Sequence, residues 1–141
     1  MAKRINVVNA KPERVMHAYT GSGGLKKGQL AVLDSGTAIA ASEGVATAIL
    51  LGVVLEDAAA TEICDIYPLT GTELEMHVYQ GGATDTFAAA NVGTPFDIYV
   101  DSYDTYIDPN DTGNGFLILE SYDNVNHIAY ARALNSVLYC G

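Results

Sequence analysis

The stretch Glu73–Tyr79, "ELEMHVY", constrains the fold more than any other part of the chain. Leu74, Met76 and Val78 alternate with Glu73, Glu75, His77 and Tyr79, the period of a strand with one face buried and one wet. Similar short runs recur along the sequence, separated by Gly, Asp, Asn and Thr. "VMHAY", "QLAVL", "TAIAA", "EICDIY", "PFDIYVD" and "FLILESY" are read as strands on the same grounds. "DSG" at 34–36 marks a hairpin turn. "AILLGVVLEDA" is apolar without alternation, as expected of a strand buried on both faces, and Gly52 within it predicts a bulge or a close backbone approach. "HIAYARA" near the end permits a helix by its alanines. Its alternation of Ile128, Tyr130 and Arg132 against Ala129, Ala131 and Ala133 favours a strand, followed by a short last strand, "VLYC". One short helix is expected in 81–95, capped by Asp85 or Thr86 and ended by Gly93.

The pattern predicts an all-β fold, a small antiparallel barrel or sandwich of about eight or nine short strands. With 141 residues, 49% of them apolar, the chain is long enough to bury a core. No apolar run approaches the ~20 residues of a membrane helix, so no membrane partner is expected. The start lacks the apolar core of a signal peptide, and the two cysteines, Cys64 and Cys140, are expected to be reduced. Cys64 reads as core.

Charge divides the chain. Residues 1–27 carry Lys3, Arg4, Lys11, Arg14, Lys26 and Lys27 against one acid, Glu13, a balance of +5. The remainder carries Arg132 alone against sixteen acids, a balance of −15, and the whole is −10. Residues 1–14, with Pro12 inside them, are expected to form an extended basic arm beside a β-rich domain over 15–141. Lys3, Arg4, Lys11 and Arg14 are its candidate partner-binding residues. An anionic body repels phosphates, so direct binding of nucleic acid is not expected.

Three stretches invite a catalytic or metal reading. "YIDPNDTGNGFLILE", 106–120, places Asp108, Asn110 and Gly113 at the first, third and sixth positions of a calcium loop. Thr112 then stands fifth, and Glu120 falls one residue late. Pro109 and Asn114-Gly115 suit a tight turn between two strands. The turn is the expectation, with a weak cation site at Asp108, Asp111 and Asp104 as the alternative. "GSGGLKKG" lacks the order of a phosphate loop and reads as a flexible loop. His17, His77 and His127 stand singly, and no strained Gly-x-Ser-x-Gly turn marks a nucleophile. No enzymatic activity, cofactor or metal is expected. Tyr99, Tyr103 and Tyr106, near the acidic turn, are candidate interface residues or simply close the barrel end.

Gly28-Gln29 opening a strand, Gly52 to Ala59 ("GVVLEDAA"), and Glu62 to Tyr67 together resemble the head decoration (cement) proteins of tailed bacteriophages, over roughly residues 20–80. The resemblance implies a β-rich protein that binds the outside of a phage head, commonly as a trimer, and stabilises it mechanically. Its partner would be the major capsid protein, met by the N-terminal arm. Its place would be the virion surface, after assembly in the host cytoplasm. The other expectation is a small β-barrel ligand- or carbohydrate-binding module of fibre or adhesin type, with Tyr99, Tyr103 and Tyr106 lining its site.

Overall fold

A computed structural model describes residues 2–42, 49–113 and 115–134. It is all-β, with twelve strands among the described residues. These are β1 (Asn6–Val7), β2 (Met16–Tyr19), β3 (Leu30–Asp34), β4 (Thr37–Ala40), β5 (Ile49–Val54), β6 (Ile63–Pro68), β7 (Leu74–Val78), β8 (Pro95–Phe96), β9 (Ile98–Asp101), β10 (Asp104–Ile107), β11 (Leu117–Asp123) and β12 (Ile128–Ala133). The count exceeds the expected eight or nine because β1 and β10 are not among the runs read as strands and because 95–101 divides at Asp97 into β8 and β9.

The larger sheet runs β8-β11-β12-β7-β10-β9, with β1 also on β7. Its two outer members are halves of one bent segment. Pro95 and Phe96 pair with Ile118 and Leu117, and beyond Asp97 the pairing passes to β10. Asp108 N–H donates to the Asp97 carbonyl at 3.0 Å, and Phe116 N–H to the Phe96 carbonyl at 3.1 Å. The sheet thus curls into a nearly closed barrel. Phe96, Asp97 and Ile98 are all buried at this corner, where strict alternation breaks.

The smaller sheet runs β2-β6-β5-β3-β4, and a bridge from Thr20 to Ala38 brings its two edges together. Its middle strands are apolar on both faces. Leu30, Val32, Leu50 and Val53 face the core shared with the barrel, while Ala31, Leu51 and Val54 line a second cluster with Leu25, Cys64 and Ile66. That is why "ILLGVV" shows no alternation. The ladder of β3 on β5 shifts register between Ala31 and Val32, beside Gly52. A Cβ on Gly52 would come within 2.0 Å of the Tyr67 carbonyl oxygen, so both expectations for this glycine are met.

Among the named strands pairing is antiparallel except between β7 and β10, which run parallel, and the Thr20–Ala38 bridge is parallel too. Among those strands the antiparallel expectation fails only between β7 and β10, because the chain leaves β7 for β8, at the far end of the sheet order, and comes back beside β7 as β10. The expected helix is reduced to a 3-10 turn, Ala89–Asn91, and Ala88, not Asp85 or Thr86, precedes it. Asn91 Oδ1 accepts the Ala88 N–H at 2.7 Å. The hairpin at 34–36 and strand β12 form as read, with Ala129, Ala131 and Ala133 inward. The "VLYC" strand, Cys140 and Asn114 lie outside the described residues.

The N-terminal arm is the main correction. Residues 3–8 are bound into the fold, not extended away from it. Ile5 is buried in the main core. Its N–H donates to the Gly28 carbonyl at 3.0 Å, Thr105 N–H donates to the Lys3 carbonyl at 2.9 Å, and Val8 N–H to the Glu73 carbonyl at 2.9 Å. Asn6 and Val7 pair with Glu75 and Leu74. Gly28, at φ +84, permits this: a Cβ there would stand 2.4 Å from Arg4 Cβ. The loop 21–28 is likewise tied in, with Leu25 buried and bridged to Ala58. Ile5→Ala should destabilise by about 2–4 kcal/mol, the usual cost of emptying a core aliphatic site, read as a lower denaturation midpoint in urea. Substitution in a detached arm would leave the midpoint unchanged.

Candidate interaction surfaces

The outer face of the barrel carries the residues that β7 turns to solvent. Pairing of β9 on β10, β10 on β7 and β7 on β12 places Tyr99, Tyr106, His77 and Ile128 in one row across four strands. Tyr79 joins them. Its ring stacks on Tyr99 with centroids 3.8 Å apart and 19° between planes, and Tyr106 lies edge-on at 5.7 Å. A hydrogen bond to Tyr99 pushes the Tyr79 hydroxyl up to about 12. Burial, more than the nearby Lys3, lowers the pKa of His77, which favours its neutral form. Tyr130 donates to Glu75 Oε2 at 2.9 Å and extends the face along β12.

Tyr103 is elsewhere. It sits half-exposed in the β9–β10 turn, with the guanidinium of Arg4 5.9 Å and Lys26 Nζ 5.7 Å from its ring centroid. Asp101 and Asp104 face each other across that hairpin, a like-charge pair. Asp104 Oδ1 accepts the Lys3 backbone N–H at 2.9 Å and lies 3.6 Å from Arg4 Nε. Lys26 Nζ is 3.8 Å from Asp57 Oδ2. The side chains of Arg4 and Lys26 thus meet the chain's own acids, and Lys3 reaches Asp104 through its backbone N–H.

Lys11 and Arg14 belong to a different place. The 3-10 turn Pro12–Arg14 packs beside the β6–β7 turn. Buried Tyr67 accepts the Lys11 N–H on its hydroxyl at 2.9 Å, and the Arg14 guanidinium lies 5.5 Å from its ring centroid. Arg14 donates to the Thr70 carbonyl at 2.7 Å, and Arg132 from β12 to the Gly71 carbonyl at 2.6 Å. Arg132 also pairs with Glu120 at 2.9 Å. The two guanidiniums therefore clamp successive carbonyls of one turn, beside a notch lined by Lys11, Thr72 and Glu73.

The four basic residues expected to act as one arm are divided between two surfaces, and of the three tyrosines Tyr103 shares the surface of Arg4 while Tyr99 and Tyr106 lie on the barrel face. Sequence reading missed Tyr79 and Arg132, although both carry the outward parity of their strands. It missed Tyr67 because its parity in β6 gives no sign of burial.

The stretch 108–113 folds as consecutive Asx turns. Asp108 Oδ1 accepts the Asn110 N–H at 2.9 Å, and Asp111 Oδ1 the Gly113 N–H at 3.0 Å. Asn110 in turn grips Thr84 through its side chain. The stretch is a turn between two strands, as expected, but the two are not paired with each other: β10 pairs with β7 and β9 while β11 pairs with β8 and β12. Among the described residues no cluster of three His, Cys, Asp or Glu side chains is placed to hold a metal ion.

On the smaller sheet, His17 Nδ1 lies 2.7 Å from Asp65 Oδ1. Glu56 shares a hydrogen bond with Asp65, which raises its pKa, and the repulsion between the two carboxylates adds to the shift. Burial pushes the neighbouring Cys64 thiol up to about 11, which disfavours its thiolate.

No protein-family model matches the chain, and no curated protein matches it.

Two titrations check this account. Tyr99→Phe should let Tyr79 ionise at lower pH, seen as an earlier rise in phenolate absorbance. For Glu56, a folded pKa raised above the unfolded value stabilises the protein below the ordinary carboxylate range. That contribution fades as pH rises through the folded pKa. Glu56→Gln should therefore melt above the parent at pH 7, and the difference should close on acidification toward pH ~4. An equal difference at both pH values would refute the shared proton.

Proposed function

We propose that this chain is a decoration protein of a phage head, bound to the outer surface of the capsid and stabilising it mechanically. The observation that carries this reading is the placement of charge on an all-β body. Basic residues are concentrated on two surfaces of a chain whose net charge is −10. One holds Arg4 and Lys26 around Tyr103, the other Lys11, Arg14 and Arg132. The first pairs its cations with Asp104 and Asp57, whereas in the second Lys11 and Arg14 have no acid partner among the described residues, which gives an acidic protein a site at which to approach an anionic partner surface. The segments resembling cement proteins support the reading as well. They open β3, form the second half of β5 with its following loop, and form most of β6, three adjacent strands of one sheet. The major capsid protein is the proposed partner, and a homotrimer the proposed bound state, in which many weak contacts are multiplied by symmetry.

With residues 3–8 fixed in the fold, the capsid contact falls to the exposed turn around Lys11 and to the Tyr103 surface. The purified chain should co-sediment with mature heads and not with unexpanded shells. Lys11→Glu combined with Lys27→Glu, the exposed neighbour of Lys26, should weaken that binding by about tenfold or more while the melting temperature holds. Full binding by this variant would overturn the reading.

The stacked rings of Tyr79, Tyr99 and Tyr106 favour a second reading, a carbohydrate- or ligand-binding module. Saturable quenching of tyrosine fluorescence by a soluble glycan, lost in Tyr106→Ala, would select it.

A further inference from the structure

We infer that the notch between the Pro12–Arg14 turn and the β6–β7 turn is a receptor for an acidic side chain of a partner polypeptide. It encloses about 200 Å³ and is lined by Val8, Lys11, Arg14, Thr72, Glu73 and Arg132, among others. Three of the chain's seven lysines and arginines converge there against one lining acid. The Arg14 guanidinium has no carboxylate partner among the described residues. Its bonds go to the Thr70 carbonyl and, at 3.4 Å, to Thr72 Oγ1. Lys11 Nζ forms no ion pair among them either. Only Arg132 is neutralised, by Glu120.

Preorganisation sets this notch apart from an ordinary basic surface. Tyr67, 2% exposed, holds the Lys11 backbone through its hydroxyl and lies beneath Arg14. The successive carbonyls of Thr70 and Gly71 fix the two guanidiniums at one turn, where both line the notch. Each guanidinium has five N–H donors in a planar fork, and only some are engaged. A planar carboxylate fits such a fork bidentately at little further cost in side-chain entropy. The small volume admits a single group, and the surrounding negative charge disfavours a polyanion. This deepens the docking reading above and rests on it for the identity of the partner, whereas the chemistry of the notch stands on its own residues.

The test uses the isolated full chain, so it can succeed where head binding fails, and the reverse. Arginine Nε–H resonances are followed by NMR during titration with a capped acidic peptide, Ac-Gly-Asp-Glu-Gly-amide, its Asn/Gln counterpart, and inorganic phosphate. The acidic peptide should shift the Arg14 and Arg132 signals saturably, and the amide peptide should not. Lys11→Gln, which removes only an exposed side chain, should weaken binding by about three- to tenfold, and Lys27→Gln should not. Equal response to both peptides, saturation by phosphate alone, or indifference to Lys11→Gln would overturn the assignment.

Discussion

Strand β7 serves three partners on two edges, and the rest of the architecture follows from how they share it. One edge belongs to β12 from Leu74 to His77. The other is divided. β1 takes Leu74 and Glu75, and β10 takes His77 and Val78 in the parallel sense. Neither β1 nor β10 is long enough to cover that edge alone. An uncovered half-edge would leave backbone donors and acceptors unpaired next to a buried core. The N-terminal segment is therefore part of the barrel wall. Ile5 extends its role inward, filling core space between the barrel and the smaller sheet.

That arrangement determines where the charges go. Drawing residues 3–8 onto the barrel brings Arg4 to Asp104 and beside Tyr103, and it leaves Lys11 and Arg14 at the opposite end of the segment, over Tyr67. At physiological salt the Debye length is about 8 Å, so an opposition of charge between two halves of a sequence has little force at long range. What matters is which cation reaches which acid at contact distance. Lys26 finds Asp57 and Arg132 finds Glu120, whereas Lys11 and Arg14 find no acid within the described residues. The imbalance at the notch results from these local pairings.

The outer row of Tyr99, Tyr106 and His77 has the same origin. Each residue is outward by the parity of its own strand. They become neighbours because β9, β10 and β7 are adjacent and in register. Tyr103 is only four residues from Tyr99 and belongs to a different surface, since a turn reverses the chain between them. Nearness in sequence is a poor guide to shared surface in a β protein, where adjacent side chains face opposite ways and turns separate them further.

The sequence by itself determined the all-β class, the positions of most strands, the inward parity of Leu74, Met76 and Val78, the two-sided burial of β5 with the close approach at Gly52, and the hairpin at Ser35-Gly36. Each is a local matter of side-chain period or turn chemistry within a few residues. Tertiary structure decided the closure of the barrel at Asp97, the parallel pairing of β7 with β10, the capture of residues 3–8, and the division of basic and tyrosine residues among separate surfaces. A trace of the third was present in Ile5-Asn6-Val7, which alternates like a strand, but surrounding basic residues and Pro12 made it read as an arm. Strand pairing and the backbone bonds beside it join residues far apart in sequence, as Val7 with Leu74 and Lys3 with Thr105. The energy that selects such pairs comes from covering edges and filling one common core, and no local period encodes it.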